Sequence, residues 1–143
     1  MSNSATKGWR GALKIADTEA ALPGAVVVGY VDSVETNLDG GLESVYHLNS
    51  RLPKLISEGN VKMSLSITKK FVNSEWAGYA GIGQTNMLPP EKWLGLYPFG
   101  YSAGKIKIVC KGKCGNWRLS TPQADYIAEN MDFVVETISV GTV

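Results

Sequence analysis

The sharpest alternation of apolar and polar positions runs from Asn60 to Phe71. Val61, Met63, Leu65 and Ile67 take one side of a period-2 ribbon, while Lys62, Ser64, Ser66, Thr68 and Lys70 take the other. That spacing predicts a strand with one face against a core and the other in water. The wet face carries short hydroxyls and lysines, with no aromatic, carboxylate or large apolar side chain. Such a face lines either bulk solvent or a water-filled passage.

The same reading organises the rest of the chain. Residues 1 to 22 are small and polar, with Trp9, Leu13 and Ile15 as apolar anchors, and predict an arm that buries those anchors on its own domain or on a neighbour. Asp17 to Leu22 predicts a helical turn capped by Asp17 or Thr18 and ended by Pro23-Gly24. The β-branched run from Ala25 predicts a strand to Glu35 with both faces largely covered, and Gly29 within it predicts a bulge or a close backbone approach. Asn37 to Gly41 is a turn signature, and Leu42 to Leu48 resumes as a strand. Asn49 to Asn60 reads as a long connection, with Pro53 arguing against a central strand. Asn73 or Ser74 can cap a short helix ended by Gly78, Gly81 and Gly83.

Asn86 to Ser102 lacks periodicity but holds Trp93, Tyr97, Phe99 and Tyr101. It reads as a loop folded on its own core, a subunit contact or a ligand platform. Lys105 to Cys110 predicts a strand, Lys111-Gly112-Lys113 a hairpin turn, and Cys114 to Ser120 the partner strand. Ile127 to Val140 predicts a long last strand whose apolar positions change face near Phe133 to Val135, the mark of a bulge or an interface. The sum is an all-β sandwich or barrel with one or two short helices.

Composition narrows the function. A chain of 143 residues fits a single domain, residues 1–143, and its formal net charge of +1 with scattered lysines argues against a nucleic-acid footprint. No stretch approaches the length of an apolar membrane span, and the N-terminus lacks the apolar core of a signal peptide, so assembly in a cytoplasm is expected. Cys110 and Cys114 enclose three residues and read as free thiols, a local disulfide or half of a metal site. His47 is the only histidine, and no motif sets a base or ligand beside it. Nucleophile elbows, zinc motifs and phosphate loops are absent from the sequence, so no enzymatic role, cofactor or metal is expected.

Three stretches together resemble the tail tube proteins of tailed viruses and related contractile particles. They are Val31 to Pro53, containing Leu42-Glu-Ser-Val-Tyr-His-Leu-Asn-Ser-Arg-Leu-Pro53; Ile56 to Phe71, opening on Glu58-Gly-Asn60; and Trp117 to Phe133, with Gln123-Ala-Asp125 and Glu129. Asn49 stands where the family pattern has glycine, and the Cys110 to Cys114 segment has no counterpart in it. The resemblance implies a hexameric ring whose subunits give strands to a shared barrel, stacked into a tube in the virion tail through which DNA passes without sequence-specific binding. Sheath, baseplate and terminator proteins are the implied partners. On that reading Lys62, Ser64, Ser66, Thr68 and Lys70 face the lumen. Trp9, Leu13, Arg51, Leu52, Lys54, Leu55, Glu58, Trp93, Tyr97 and Tyr101 are then the candidates for contacts between subunits and rings. The alternative is a β-sandwich carbohydrate-binding module that uses Trp93, Tyr97 and Tyr101 as its platform.

Overall fold

The computed structural model describes residues 11–46, 48 and 51–143, with the side chains of Pro53 and Lys54 left aside. Among these residues eight strands are present: β1 (Ala12–Ala16), β2 (Val31–Asp39), β3 (Leu42–Tyr46), β4 (Pro53–Glu58), β5 (Lys62–Lys70), β6 (Glu91–Tyr97), β7 (Ile106–Ser120) and β8 (Ala128–Thr142). One short helix, α1 (Glu75–Tyr79), and two single 3-10 turns complete the described elements. Six strands form an antiparallel sheet in the order β1-β6-β7-β8-β5-β2, and β3 with β4 makes a separate two-stranded ribbon. The all-β expectation is met.

The long β7–β8 pair is the spine, and its two ends carry different neighbours. β6 pairs only with Ile108 to Lys113 of β7, and β1 adds to β6. β5 pairs with Ala128 to Val134 of β8, and β2 adds to β5. Two half-sheets therefore hang from one hairpin. Their inner faces meet in a core of Leu13, Leu94 and Cys110 from one half and Leu65, Ile67, Met131 and Phe133 from the other. Trp76 of α1 packs edge-on against Phe133, with centroids 6.2 Å apart. Asn73 starts that helix by accepting a hydrogen bond from the Glu75 amide through its side chain.

Several expectations are revised. The strand expected from Ala25 begins only at Val31; the run Ala25 to Tyr30 is a surface strap tied at a Lys14–Val27 bridge, with Val26 87 % exposed. Its apolar residues do not mark a covered strand. Leu13 and Ile15 belong to β1, so this part of the N-terminal segment is a sheet strand of the chain's own core. The connection after Asn49 contains β4, whose first residue is Pro53; proline fits at a strand's start. The segment expected to be irregular contains β6, because Pro89, Pro90 and Pro98 bound the strand and do not interrupt it.

The expected turn at Lys111 to Lys113 is the interior of β7. Register shifts at Lys111/Gly112 and Cys114/Asn116 take up the irregularity, and the first of them also accounts for the change of face in β8. Gly112 is required by close approach: a Cβ there would lie 2.2 Å from the Val134 carbonyl oxygen. Gly112→Ala is expected to cost about 1–3 kcal/mol or more, since the obstacle is backbone and cannot rotate away. A urea midpoint unchanged from wild type would refute this.

Both cysteines are free and buried. Along a continuous strand four residues span on the order of 13 Å, well beyond bridging distance. Burial pushes the Cys110 thiol up to about 11. The folded chain thus keeps a proton that the unfolded chain releases above about pH 9, so this contribution is full below pH 9 and lost as the pH climbs toward 11. Cys110→Ala is expected to flatten the fall in denaturation midpoint across that window.

Candidate lumen face and assembly surfaces

β5 behaves as its alternation predicts, with Leu65 and Ile67 buried and Ser64, Ser66, Thr68 and Lys70 turned to the opposite side. Met63 is partly buried and Val61 is exposed. Register extends the polar side across the half-sheet. Ser33, Glu35, Asn37 and Asp39 of β2 lie beside Thr68, Ser66, Ser64 and Lys62. Asp132 and Asn130 of β8 lie on the other flank of Ser66 and Thr68, followed by Asn116 and Arg118 of β7.

The polar groups of this face are joined to one another. The Ser66 hydroxyl donates to Asp132 at 2.8 Å, and the Thr68 hydroxyl donates to Asn130 at 2.8 Å. Asn116 Nδ2 reaches the second Asp132 oxygen at 3.4 Å, and Arg118 approaches the same oxygen at 3.7 Å. Lys70 donates to Asp32 at 2.7 Å, and that bond raises the lysine pKa. Lys62 stands opposite Asp39 in the register. The carboxylates that balance these bases come from β2 and β8, two strands whose pairing with β5 no local pattern announced.

The next residue along β5 points the other way and has a different fate. Lys69 follows the parity of Leu65 and Ile67 into the core side, where its Nζ lies 3.1 Å from Glu129. The two side chains are 4 % and 0 % exposed. Trp117 Nε1 donates to the other Glu129 oxygen at 2.8 Å, and Lys69 also donates to the Lys70 carbonyl. Glu129 is thus the most deeply buried charge described.

The β3–β4 ribbon has no core of its own. Leu42, Val45, Tyr46, Leu55 and Ile56 are all exposed, between 42 % and 64 %. Arg51, Leu52, Leu55 and Glu58 lie on or beside this ribbon and are exposed. Trp9, His47 and the side chain of Lys54 fall outside the described residues. A groove of about 650 Å³ lies between β1 and the start of β2, lined by residues that include Leu13, Val28, Val34, Leu96 and Phe99. Its lining is mostly apolar.

Two candidate contact residues turn inward. Leu13 is in the core, and Tyr97, 2 % exposed, folds over Gly95 and packs edge-on against Tyr101 at 4.9 Å. Lys14 lies over Tyr101, 3.4 Å from its ring centre, and donates to the Pro23 carbonyl. Trp93 is half-buried beneath Lys111. These aromatics are packed under lysines and form no flat exposed row for a sugar ring. Among the described residues no three or more His, Cys, Asp or Glu gather in a metal-holding group, and no helix is long and apolar enough to cross a membrane.

Comparison with solved structures gives the fold. The SPP1 tail tube matches with a TM-score of 0.73 at 8 % identity, covering 97 % of this chain and 80 % of that one. The fold is that of a tail tube protein. A chain of the sheath-tube complex of the PVC extracellular contractile injection system matches this tail-tube fold with a TM-score of 0.69 at 9 % identity, covering 99 % and 94 %. A chain from the tail of an empty gene transfer agent particle, refined with C6 symmetry, matches at 0.64 and 11 % identity, covering 97 % and 99 %. No family model matches the sequence, and no curated protein matches it. The tail-tube resemblance of the sequence therefore holds at the level of fold.

Proposed function

We propose that this chain is a structural protein of a virion tail or related particle, assembling into stacked hexameric rings that form a tube with a polar lumen. The observation that carries this reading is the half-sheet β2-β5-β8-β7. Among the described residues, β2 is an unpaired edge, and β7 beyond Lys113 has no partner on the side away from β8. Both ends of the half-sheet are open. An even number of antiparallel strands leaves its two edges running in opposite directions, so β2 of one copy can pair antiparallel with Asn116 to Ser120 of the next. Repetition around a ring closes both open edges of this half-sheet.

In such a ring the polar face turns inward, placing Lys62, Ser64, Ser66, Thr68 and Lys70 on the lumen. The C6 symmetry of the gene transfer agent tail supports six copies. Stacking requires a second contact that does not close on itself. The β3–β4 ribbon supplies it: a two-stranded ribbon with apolar residues exposed on both faces is marginal alone and gains stability by burial against another subunit. Leu52, Leu55, Arg51 and Glu58 then belong to the contact between rings, with the apolar groove beside β1 as a fitting receiver. The partners are further copies, the sheath or its counterpart, and the proteins that cap and seat the tube; the cargo is the genome.

Negative-stain microscopy beside sedimentation of the purified protein tests this. Hollow rings or tubes with six-fold symmetry are expected. A monomer that stays dispersed at high concentration, with no tubes even when a baseplate-like nucleus is supplied, would defeat the reading.

A further inference from the structure

We propose that Ile82, Met87 and Leu88 form a lateral clamp that covers Leu38 and Val61 of the next copy in the ring. This rests on β2 of one copy pairing with the free edge of β7 in another. Pairing of that kind puts two strands in line along one edge of β7. β6 is antiparallel to β7 and begins at Glu91, opposite Lys113. The incoming β2 is antiparallel to Asn116 to Ser120, so its last residues, Leu38 and Asp39, arrive at the end of that stretch nearest Lys113. The two strands therefore meet end to end at the Cys114/Asn116 register shift. Neither runs on past the meeting point. β2 turns away at Gly40-Gly41, where Asp39 accepts a hydrogen bond from the Gly41 amide, and the chain ahead of β6 turns away at Pro89-Pro90.

Side-chain parity decides which surfaces touch there. Leu38 lies opposite Met63 and shares the side of Leu65 and Ile67, away from the polar face. Val61 follows the same alternation, and the isolated chain leaves both residues 57 % exposed. α1 packs on that same side through Trp76 and Phe133, and the segment Gly81 to Pro90 leads from α1 to Glu91. Ile82, Met87 and Leu88, 46 %, 66 % and 64 % exposed, thus stand on the outward side of the junction. Five apolar side chains that face water in the isolated chain are brought to one place by the strand contact.

The backbone of this segment supports the same reading. Asn86 and Met87 are consecutive left-handed residues, with φ of 57° and 52°. Asparagine tolerates that region, but methionine is seldom found there, and glycine would suit the backbone better. Gly81, at φ 104°, lets the two ends of the segment close, since a Cβ there would lie 2.4 Å from the Met87 carbonyl oxygen. Packing within the chain does not call for methionine at position 87, because its side chain is mostly in water. A strained backbone that carries an exposed apolar side chain points to a contact made outside the chain.

The test is cysteine cross-linking with a short bismaleimide in tubes verified by microscopy, read on denaturing gels. Leu38→Cys with Leu88→Cys in one chain is expected to give a ladder of linked chains, and either single variant none; Cys110 and Cys114 are buried and stay unreacted. Asn37→Cys with Arg118→Cys reports the strand contact by itself. A ladder from the strand pair without one from Leu38 and Leu88 overturns the clamp and leaves the ring intact. No ladder from either pair removes the strand contact, and the clamp with it. Met87→Gly with Leu88→Ser gives a second readout that needs no cross-link. Relief of the left-handed methionine is expected to hold the urea midpoint at or above that of wild type, while the concentration needed for assembly rises about tenfold or more for the two apolar side chains lost from each contact. A folded double variant that assembles at the wild-type concentration overturns the proposal, and so does a chain that never forms rings. If this variant unfolds, the Leu38 and Leu88 ladder decides.

Discussion

Glu129→Ala is expected to destabilise the folded chain by about 3–5 kcal/mol, the cost of leaving a buried charge without its partner. Lys69 is 4 % exposed at its side chain and has Glu129 as its only carboxylate within ion-pair distance among the described contacts. Removing the acid strands an ammonium between Trp76, 5.6 Å from its ring centre, and the Lys70 carbonyl, which takes up part of its hydrogen bonding but none of its charge. The Trp117 indole loses its acceptor in the same step, adding the desolvation penalty of an unsatisfied donor.

The pair variant Lys69→Met with Glu129→Leu is expected to recover most of the loss. Desolvating two charges costs about as much as their attraction returns, and well-packed apolar substitutes of similar size are often neutral or better. Urea denaturation of Lys69→Met, Glu129→Leu and the double variant closes the cycle. A double variant as unstable as the sum of the singles would show that the pair is not coupled.

Val45→Lys combined with Leu55→Glu is expected to abolish tube formation while leaving the monomer folded. Val45 and Leu55 face each other across the β3–β4 register, so opposite charges there keep a favourable cross-strand pair while removing the apolar contact surface. Burial of two such side chains against a neighbour is worth about 3 kcal/mol or more per subunit, roughly a hundredfold or greater in association. The six-stranded sheet does not pack through these residues, so far-UV circular dichroism and the urea midpoint are expected to match wild type. Tubes of normal length from the double variant would remove the ribbon from the stacking contact.

Much of the chain was written in short-range pattern. The two faces of β5, the short helix after Asn73, the change of face in β8 and the all-β class follow from period, capping residues and turn chemistry, each set by neighbours within a few residues. The tail-tube resemblance was also legible in the order and spacing of its three stretches, and the fold agrees with it where identity to the solved structures is 8–11 %.

The sequence by itself determined which side of β5 is dry and which is wet, because side chains alternate along any extended strand. Only the tertiary structure decided what meets those sides. Lys69 looks like its neighbour Lys70, yet one is locked to a buried acid and the other to a surface one, because β8 is brought beside β5 from some sixty residues away. Lys111-Gly112-Lys113 has the composition of a turn, yet it runs straight, because β6 and β8 hydrogen-bond to both of its edges and the glycine is needed for close approach. Val26 in the apolar run from Ala25 looks covered and is not, while Tyr97 looks sticky and is folded away. Burial is a property of what packs against a residue, and that is fixed by strand pairing across the whole chain.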